Sequence, residues 1–301
     1  MPSFGVKVIR AVFGAAEHVS PGLAGRVAFE LFCRTPNPKR MSAGEARAVE
    51  RALDFMAGAR HHTIPTRQGC LAVHEFRPLP ARSNSGAVLV IHGWRSRTEF
   101  MKALISSYRD AGFRVFSLDL PGHGASSGRR LTLVDAVAAV HAVGESFGPF
   151  AAIAGHSFGG AVAANALAGS IAGVATTDAA KLVLIAAPSS LPAVFENFFD
   201  FLAIGPRTRA TVVARIGRIA GRPLEEFDGT AQLAEAAVPT LVVHASDDRE
   251  VPAYHAESFA QAGPHVRLYW ADGLGHRRIL SDPAVVKQAL DFVIASPTVA
   301  H

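Results

Sequence analysis

Cysteine is almost missing from this chain: Cys33 and Cys70 are the only two among 301 residues. Two thiols cannot build a disulfide framework, so the sequence points to free or buried thiols in a reducing compartment, with a cytoplasmic location expected. Charge is scarce as well, 18% against 49% hydrophobic residues, which excludes a disordered, solvating chain. Long apolar runs are absent. No stretch approaches the roughly 18 to 20 residues that span a bilayer, so no transmembrane segment is expected. At the start, MPSFGVKVIRAVFGAAEHV is interrupted by Lys7, Arg10 and Glu17, which argues against a signal peptide. The phases of Phe4, Val8, Val12 and Ala16 allow an amphipathic helix there, with packing on the body of the protein the ordinary use of its apolar face and membrane contact the other. Zinc-finger spacing and basic strands interleaved with aromatics are also lacking. The net charge of +5 is therefore read as an aid to solubility or to attracting anionic substrates, and no nucleic-acid partner is expected.

What the chain does have, from about residue 61 onward, is alternation. Apolar runs at Cys70–Phe76, Ala87–Ile91, Arg114–Leu118, Phe150–Ala154, Lys181–Ala186, Thr240–His244 and Val266–Trp270 read as strands, with His62–Pro65 a weaker first one. Helical patterns separate them at Glu99–Ala111, Leu133–Gly144, Gly160–Ala172, Ala253–Gln261 and Pro283–Ile294, the second led by Thr132 and Asp135 in capping-box spacing. Such alternation predicts an α/β fold with a mostly parallel sheet flanked by helices. Two regions stand outside it. Residues 1–60 read as an N-terminal helical extension, with breaks at Ser20-Pro21-Gly22 and Thr35–Arg40. Residues 188–238 read as a helical cap inserted between two strands of a core formed by 61–187 and 239–301.

Three segments fit the pattern Gly-x-Ser-x-Gly: Gly124–Gly128, Gly144–Gly148 and Gly155–Gly159. Ser146 falls at a helix end, and Ser126 in a long loop after Pro121-Gly122-His123-Gly124. Only Ser157 has an apolar strand before it and an Ala-rich helix after it. A serine presented on a nucleophile elbow needs that strand–turn–helix arrangement, which holds the residue in a strained turn at a helix N-terminus that favours negative charge.

A serine hydroxyl needs a base, and the base an orienting acid. In this layout acid and histidine follow the serine in chain order. Among His244, His255, His265, His276 and His301, only His276 lies in a glycine-rich loop, Ala271–His276, at the C-terminal end of a strand. Asp247, Asp248 and Glu250 compete as the acid, with Glu250 furthest into its loop. The N–H of Phe158 supplies one oxyanion donor, and Gly93, by letting its loop turn tightly, presents the N–H of Trp94 as the second. His92 is expected to orient that loop.

On His92-Gly93-Trp94, Asp119 through Ser126, Gly155 through Gly160, Asp247 through Pro252 and Gly275-His276, the chain resembles the α/β-hydrolase superfamily, in its lipase, esterase and serine-aminopeptidase-like branches. The resemblance spans residues 87–295. It implies Asp248 as the acid, through the family's Asp-x-x-Val-Pro pattern, and makes Ser126 a structural loop residue. It implies hydrolysis of a carboxylic ester or related acyl bond of a small molecule with no metal or organic cofactor. Amide, thioester and carbon–carbon hydrolysis and perhydrolysis stay open on the same triad, as does a ligand-binding or signalling member without turnover. Haloalkane dehalogenases and epoxide hydrolases of this fold use aspartate where this chain has Ser157.

Within 188–238, Phe195, Phe198, Phe199, Phe201 and Leu202 precede a helix carrying Val212, Ile216 and Ile219 on one stripe and Arg215, Arg218 and Arg222 on another. Two expectations follow: an ordinary amphipathic helix with solvated arginines, or a roof in which Phe195, Phe198 and Phe199 line an apolar acyl pocket and Arg215 meets an anionic group. On the second, these residues bind substrate together with His92 and Gly93.

Overall fold

The computed structural model describes residues 4–37, 40–67, 69–78 and 86–295. Its contacts divide the chain into two compact units, one of residues 1–34 and 190–228, the other of 35–189 and 229–301.

The larger unit holds one eight-stranded sheet. Its strands are β1 (Arg60–Thr66), β2 (Gly69–Phe76), β3 (Ala87–Ile91), β4 (Arg114–Asp119), β5 (Ala152–His156), β6 (Leu182–Ile185), β7 (Thr240–His244) and β8 (Val266–Trp270), arranged β1-β2-β4-β3-β5-β6-β7-β8. β1 and β2 pair antiparallel with their neighbours, and every other pairing is parallel. The α/β architecture with a mostly parallel sheet is thus the one the alternation predicts. β5 runs two residues further than its apolar run suggests, to His156, because Gly155 and His156 still pair with Leu184 and Ile185.

Successive side chains of a strand point to opposite faces, and both faces here are covered. Val88 and Val90 of β3 and Val183 and Ile185 of β6 meet Leu104, Ile105 and Tyr108 of the helix Lys102–Asp110 and Val285, Ala289 and Val293 of the helix Pro283–Ile294. On the other face, Phe147 of the helix Leu133–Phe147 stacks on Phe116 of β4 at 4.4 Å. Thr132 and Asp135 form the capping box expected at that helix start. Registers Ile91↔Gly155 and His244↔Trp270 bring the strand C-termini level, so the loops after β3, β5, β7 and β8 all leave from one sheet edge.

The smaller unit is all helical: α1 (Phe4–Val19), α2 (Pro21–Cys33), α8 (Leu191–Leu202) and α9 (Pro206–Ala220), where α3 to α7 are the helices 43–50, 53–57, 102–110, 133–147 and 158–167. Its core gathers Phe13, Ala28, Phe29, Phe195, Phe199, Leu202, Val212 and Ile216. Glu17 is buried in it and accepts from the N–H groups of Arg207 and Thr208 at 2.8 and 3.0 Å, satisfying the orphan donors at the start of α9.

Three sequence expectations are revised here. The boundary placed at residue 60 falls at 34, since α3 and α4 go with the sheet. The inserted cap ends at Asp228, and the helix Gly229–Ala236 also goes with the sheet. Lastly, Phe4, Val8 and Val12, whose phase suggested a packed face, are exposed, and α1 packs through Phe13 and Glu17 instead.

Candidate active site

Ser157 leaves the end of β5 with φ 52° and ψ −125° and is the N-cap of α7 (Phe158–Leu167). A non-glycine residue at positive φ is strained, and the surroundings hold it there. Its own N–H donates to Ile185 O at 2.8 Å, and the N–H of Gly160 turns back to its carbonyl at 2.9 Å. The flanking glycines are required by crowding. A Cβ on Gly159 would lie 2.9 Å from the carbonyl carbon of Ile91, and one on Gly155 would lie 2.6 Å from the Cα of Gly160.

His276 and Asp248 complete a hydrogen-bonded chain. His276 Nε2 is 3.0 Å from Ser157 Oγ, and His276 Nδ1 is 2.7 Å from Asp248 Oδ2. An ionised carboxylate can only accept, so Nδ1 carries the proton and Nε2 faces the serine hydroxyl as acceptor. Asp248 lies in the loop that follows β7. Its side chain is fully buried, and burial alone would raise its pKa. The hydrogen bonds from His276 and from the N–H groups of Val251 and Glu250, at 2.9 and 2.8 Å, outweigh burial and hold the carboxyl below the usual aspartate range. Asp247, its neighbour, points elsewhere: it accepts from the N–H of Gly273 at 2.9 Å and of Gly275 at 3.3 Å, bracing the loop that carries His276. Glu250 lies outside this chain, paired with Arg277 at 2.9 Å.

The loop after β3 comes up against the serine. A Cβ on Gly93 would stand 2.9 Å from Ser157 Cβ and 3.2 Å from His156 O, so only glycine admits this approach. Trp94 follows, its ring edge-on to Phe158 at 5.6 Å. The N–H of Phe158 is in the first turn of α7, where a helix offers no internal acceptor. His92 is completely buried. Its Nε2 accepts from Leu120 N–H at 3.0 Å and its Nδ1 donates to Gly93 O at 2.7 Å, so both nitrogens hold the loop and neither is left for a substrate.

One positioning residue escaped the sequence. His156 donates from Nε2 to His276 O at 2.9 Å, and the two rings lie 4.8 Å apart. Burial pushes its pKa down to about 3, so it is neutral and ties the histidine loop to the serine turn. The only hint in the sequence is its place beside Ser157.

The other two Gly-x-Ser-x-Gly serines are engaged elsewhere. Ser126 is buried, donates to Asp119 O and accepts from Ala72 N–H at 2.8 Å. Ser146 donates to Ala142 O at 2.9 Å within its helix. Among the other histidines, His244 bonds Val251 O, His255 meets Ser189 and His265 bonds Leu233 O, while His301 lies outside the described residues.

Phe195, Phe198 and Phe199, expected to line an acyl pocket, all belong to the helical unit. Phe195 and Phe199 are buried in the core of the helical unit, Phe195 against Phe32 at 4.2 Å, and Phe198 packs edge-on to Phe32 at 5.0 Å. Arg215 pairs with Glu30 at 3.0 Å and covers the Phe29 ring at 5.3 Å. Aromatic burial in a small unit was the stronger demand.

A sequence model of the alpha/beta hydrolase family matches residues 88–289. A pimeloyl-[acyl-carrier protein] methyl ester esterase of Nitrosomonas europaea is 25% identical over 66% of this chain and 92% of its own length. Among solved structures, Est1E of Butyrivibrio proteoclasticus is similar with a TM-score of 0.60 and 17% identity, over 79% of this chain and 100% of that one. A membrane phospholipase A described as a bacterial virulence factor has a TM-score of 0.59 at 17% identity, over 96% of both chains. At these identities the solved structures show likeness of fold.

Proposed function

The chain belongs to the alpha/beta hydrolase family, and on that premise we propose that it is a serine hydrolase cleaving a carboxylic ester. The observation that carries the reading is the continuous hydrogen-bonded chain from Ser157 through His276 to Asp248, ending on a serine held at positive φ.

Ser157 Oγ attacks the ester carbonyl carbon while its proton passes to His276 Nε2. The resulting imidazolium is stabilised by Asp248, which keeps its charge because its pKa is held down. The carbonyl oxygen becomes an oxyanion facing the N–H groups of Phe158 and Trp94, each such donor contributing about 3 kcal/mol. Collapse breaks the ester C–O bond, and His276 returns its proton to the departing alkoxide. Water, deprotonated by His276, then attacks the acyl-enzyme; the second collapse releases the carboxylate and restores Ser157. His276 carries the proton in both halves of the cycle, and the acid product loses its own proton to solvent as it leaves as carboxylate. The printed name of the relative in Nitrosomonas europaea, a methyl ester esterase, supports an ester over the other acyl bonds this triad could cleave.

Pre-steady-state hydrolysis of short and medium p-nitrophenyl esters tests the reading. The expected result is a stoichiometric burst of p-nitrophenol that disappears in Ser157→Ala. A folded wild-type protein with neither burst nor turnover, on esters of every length tried, would favour a ligand-binding member of the fold.

A further inference from the structure

The helical unit buries one side of α1 and α2 and leaves the opposite side apolar. On α1, Phe4, Val8 and Val12 recur at i, i+4 and i+8 and are exposed, Phe4 at 82% and Val12 at 61%. On α2, Leu23, Val27 and Leu31 repeat the spacing, with Leu23 exposed at 57%. Both stripes lie away from the packed positions, Phe13 and Glu17 in α1 and Ala24, Ala28 and Phe29 in α2. Phe201 of α8, also exposed, sits beside α1, its carbonyl held by Arg10 Nε at 2.8 Å.

The charges that α1 and α2 carry are mostly basic: Lys7, Arg10 and Arg26, with Arg34 following them, while Glu17 is buried on the α9 backbone and the exposed Glu30 is paired with Arg215. Next to Leu23 and Val27, a depression of about 330 Å³ is lined by Gly22, Arg26, Thr211, Arg215 and Arg218. Arg26 and Arg218 use Nε only in long, 3.4 Å contacts to carbonyls one turn back. Arg215 Nε is buried with no acceptor among the described residues. Three guanidinium groups around one hollow suit a phosphate, which Arg binds in a planar fork.

We propose that this face of the helical unit docks on an anionic lipid bilayer, with the apolar stripes of α1 and α2 entering the interface and the arginine-lined depression taking a lipid phosphate. No helix among the described residues is long and apolar enough to cross a membrane, so the mode is lying on the surface. A second copy of the chain suits the face less well. A two-fold contact would set Lys7, Arg10 and Arg26 against their own copies, and like charges in such an interface repel.

Vesicle co-sedimentation of the full chain tests this without requiring catalysis, so Ser157→Ala should sediment as the wild type does, whatever becomes of the hydrolase reading. Two compositions serve: pure phosphatidylcholine, and equal parts phosphatidylcholine and phosphatidylglycerol. The expected result is partition into the anionic vesicles, weakened by salt and poor on the neutral ones. The variant Val8→Ser/Val12→Ser/Leu23→Ser, at exposed positions that leave the circular dichroism unchanged, should weaken partition by roughly tenfold or more. Arg26→Gln/Arg218→Gln should weaken partition into the anionic vesicles by roughly thirtyfold and so reduce the anionic preference. Equal partition into both vesicle types, or none into either, overturns the proposal. So does a dimer in light scattering that the serine variant converts to monomer without any vesicle binding, which assigns the face to a second copy.

Discussion

The two units spend their polar groups in opposite ways. In the sheet unit, polar side chains hold backbone: buried Asp248 gathers two N–H groups as well as His276, exposed Asp247 braces the histidine loop, and buried His92 spans Leu120 and Gly93. The result is an edge on which Ser157, His276 and Asp248 stand within hydrogen-bond reach of one another. In the helical unit the interior is largely aromatic and aliphatic, with the buried Glu17 holding the start of α9, and apolar side chains stand exposed on its outside. Preorganised polar networks mark a place for chemistry, whereas an exposed apolar stripe marks a place for contact.

The largest effect expected from breaking this contrast lies in the sheet unit, between two adjacent aspartates. Asp248→Asn keeps the shape but lets the wrong tautomer of His276 form, and should lower kcat by about 10⁴-fold. Asp247→Ala removes a brace from the loop and should cost about tenfold at most. Steady-state kinetics on a p-nitrophenyl ester compare the two, and equal losses would show that Asp248 is not the orienting acid. In the helical unit the matching pair is Phe199, fully buried, and Phe201, half exposed. Phe199→Ala should cost about 3–5 kcal/mol in denaturant unfolding, while Phe201→Ala should change stability by less than about 0.5 kcal/mol.

A smaller, distributed effect comes from the histidines of the sheet unit. Burial holds the pKa of His123 and His156 down to about 3 and that of His255 to about 4, from an ordinary 6.5. Unfolding lets each take up a proton below pH 6.5, so the unfolded chain binds more protons between pH 6.5 and about 3, and stability falls as pH drops through that window. The melting temperature should begin to decline just below pH 6.5. A decline starting only near pH 4, where carboxylates titrate, would show that these histidines are not buried as neutral groups.

Much of the sheet unit is legible in the sequence because each signal there is local. Ala87–Ile91, Thr240–His244 and Val266–Trp270 keep the bounds their apolar runs suggest. Ser157 stands out by the strand before it and the helix after it. The residues alone leave Asp247 and Asp248 in competition and the resemblance selects Asp248 by its Asp-x-x-Val-Pro spacing; the physical difference is which way each side chain leaves the same turn. His156 is invisible for the same reason: its bond to His276 joins residues 120 apart. Periodicity also identifies a helix face without saying which way it points. The stripe of Phe4, Val8 and Val12 is correct as a pattern and faces outward, because Glu17 and Phe13 supply the packed side.

The proposed chemistry requires Ser157 to be the activated hydroxyl among three serines in the same local pattern. Labelling the native protein with a fluorophosphonate, followed by peptide mass spectrometry, tests this directly. The predicted result is one adduct, on the peptide containing Ser157, absent when His276 is replaced by Ala. An adduct on Ser126 or Ser146, or none at all on the folded protein, would contradict it.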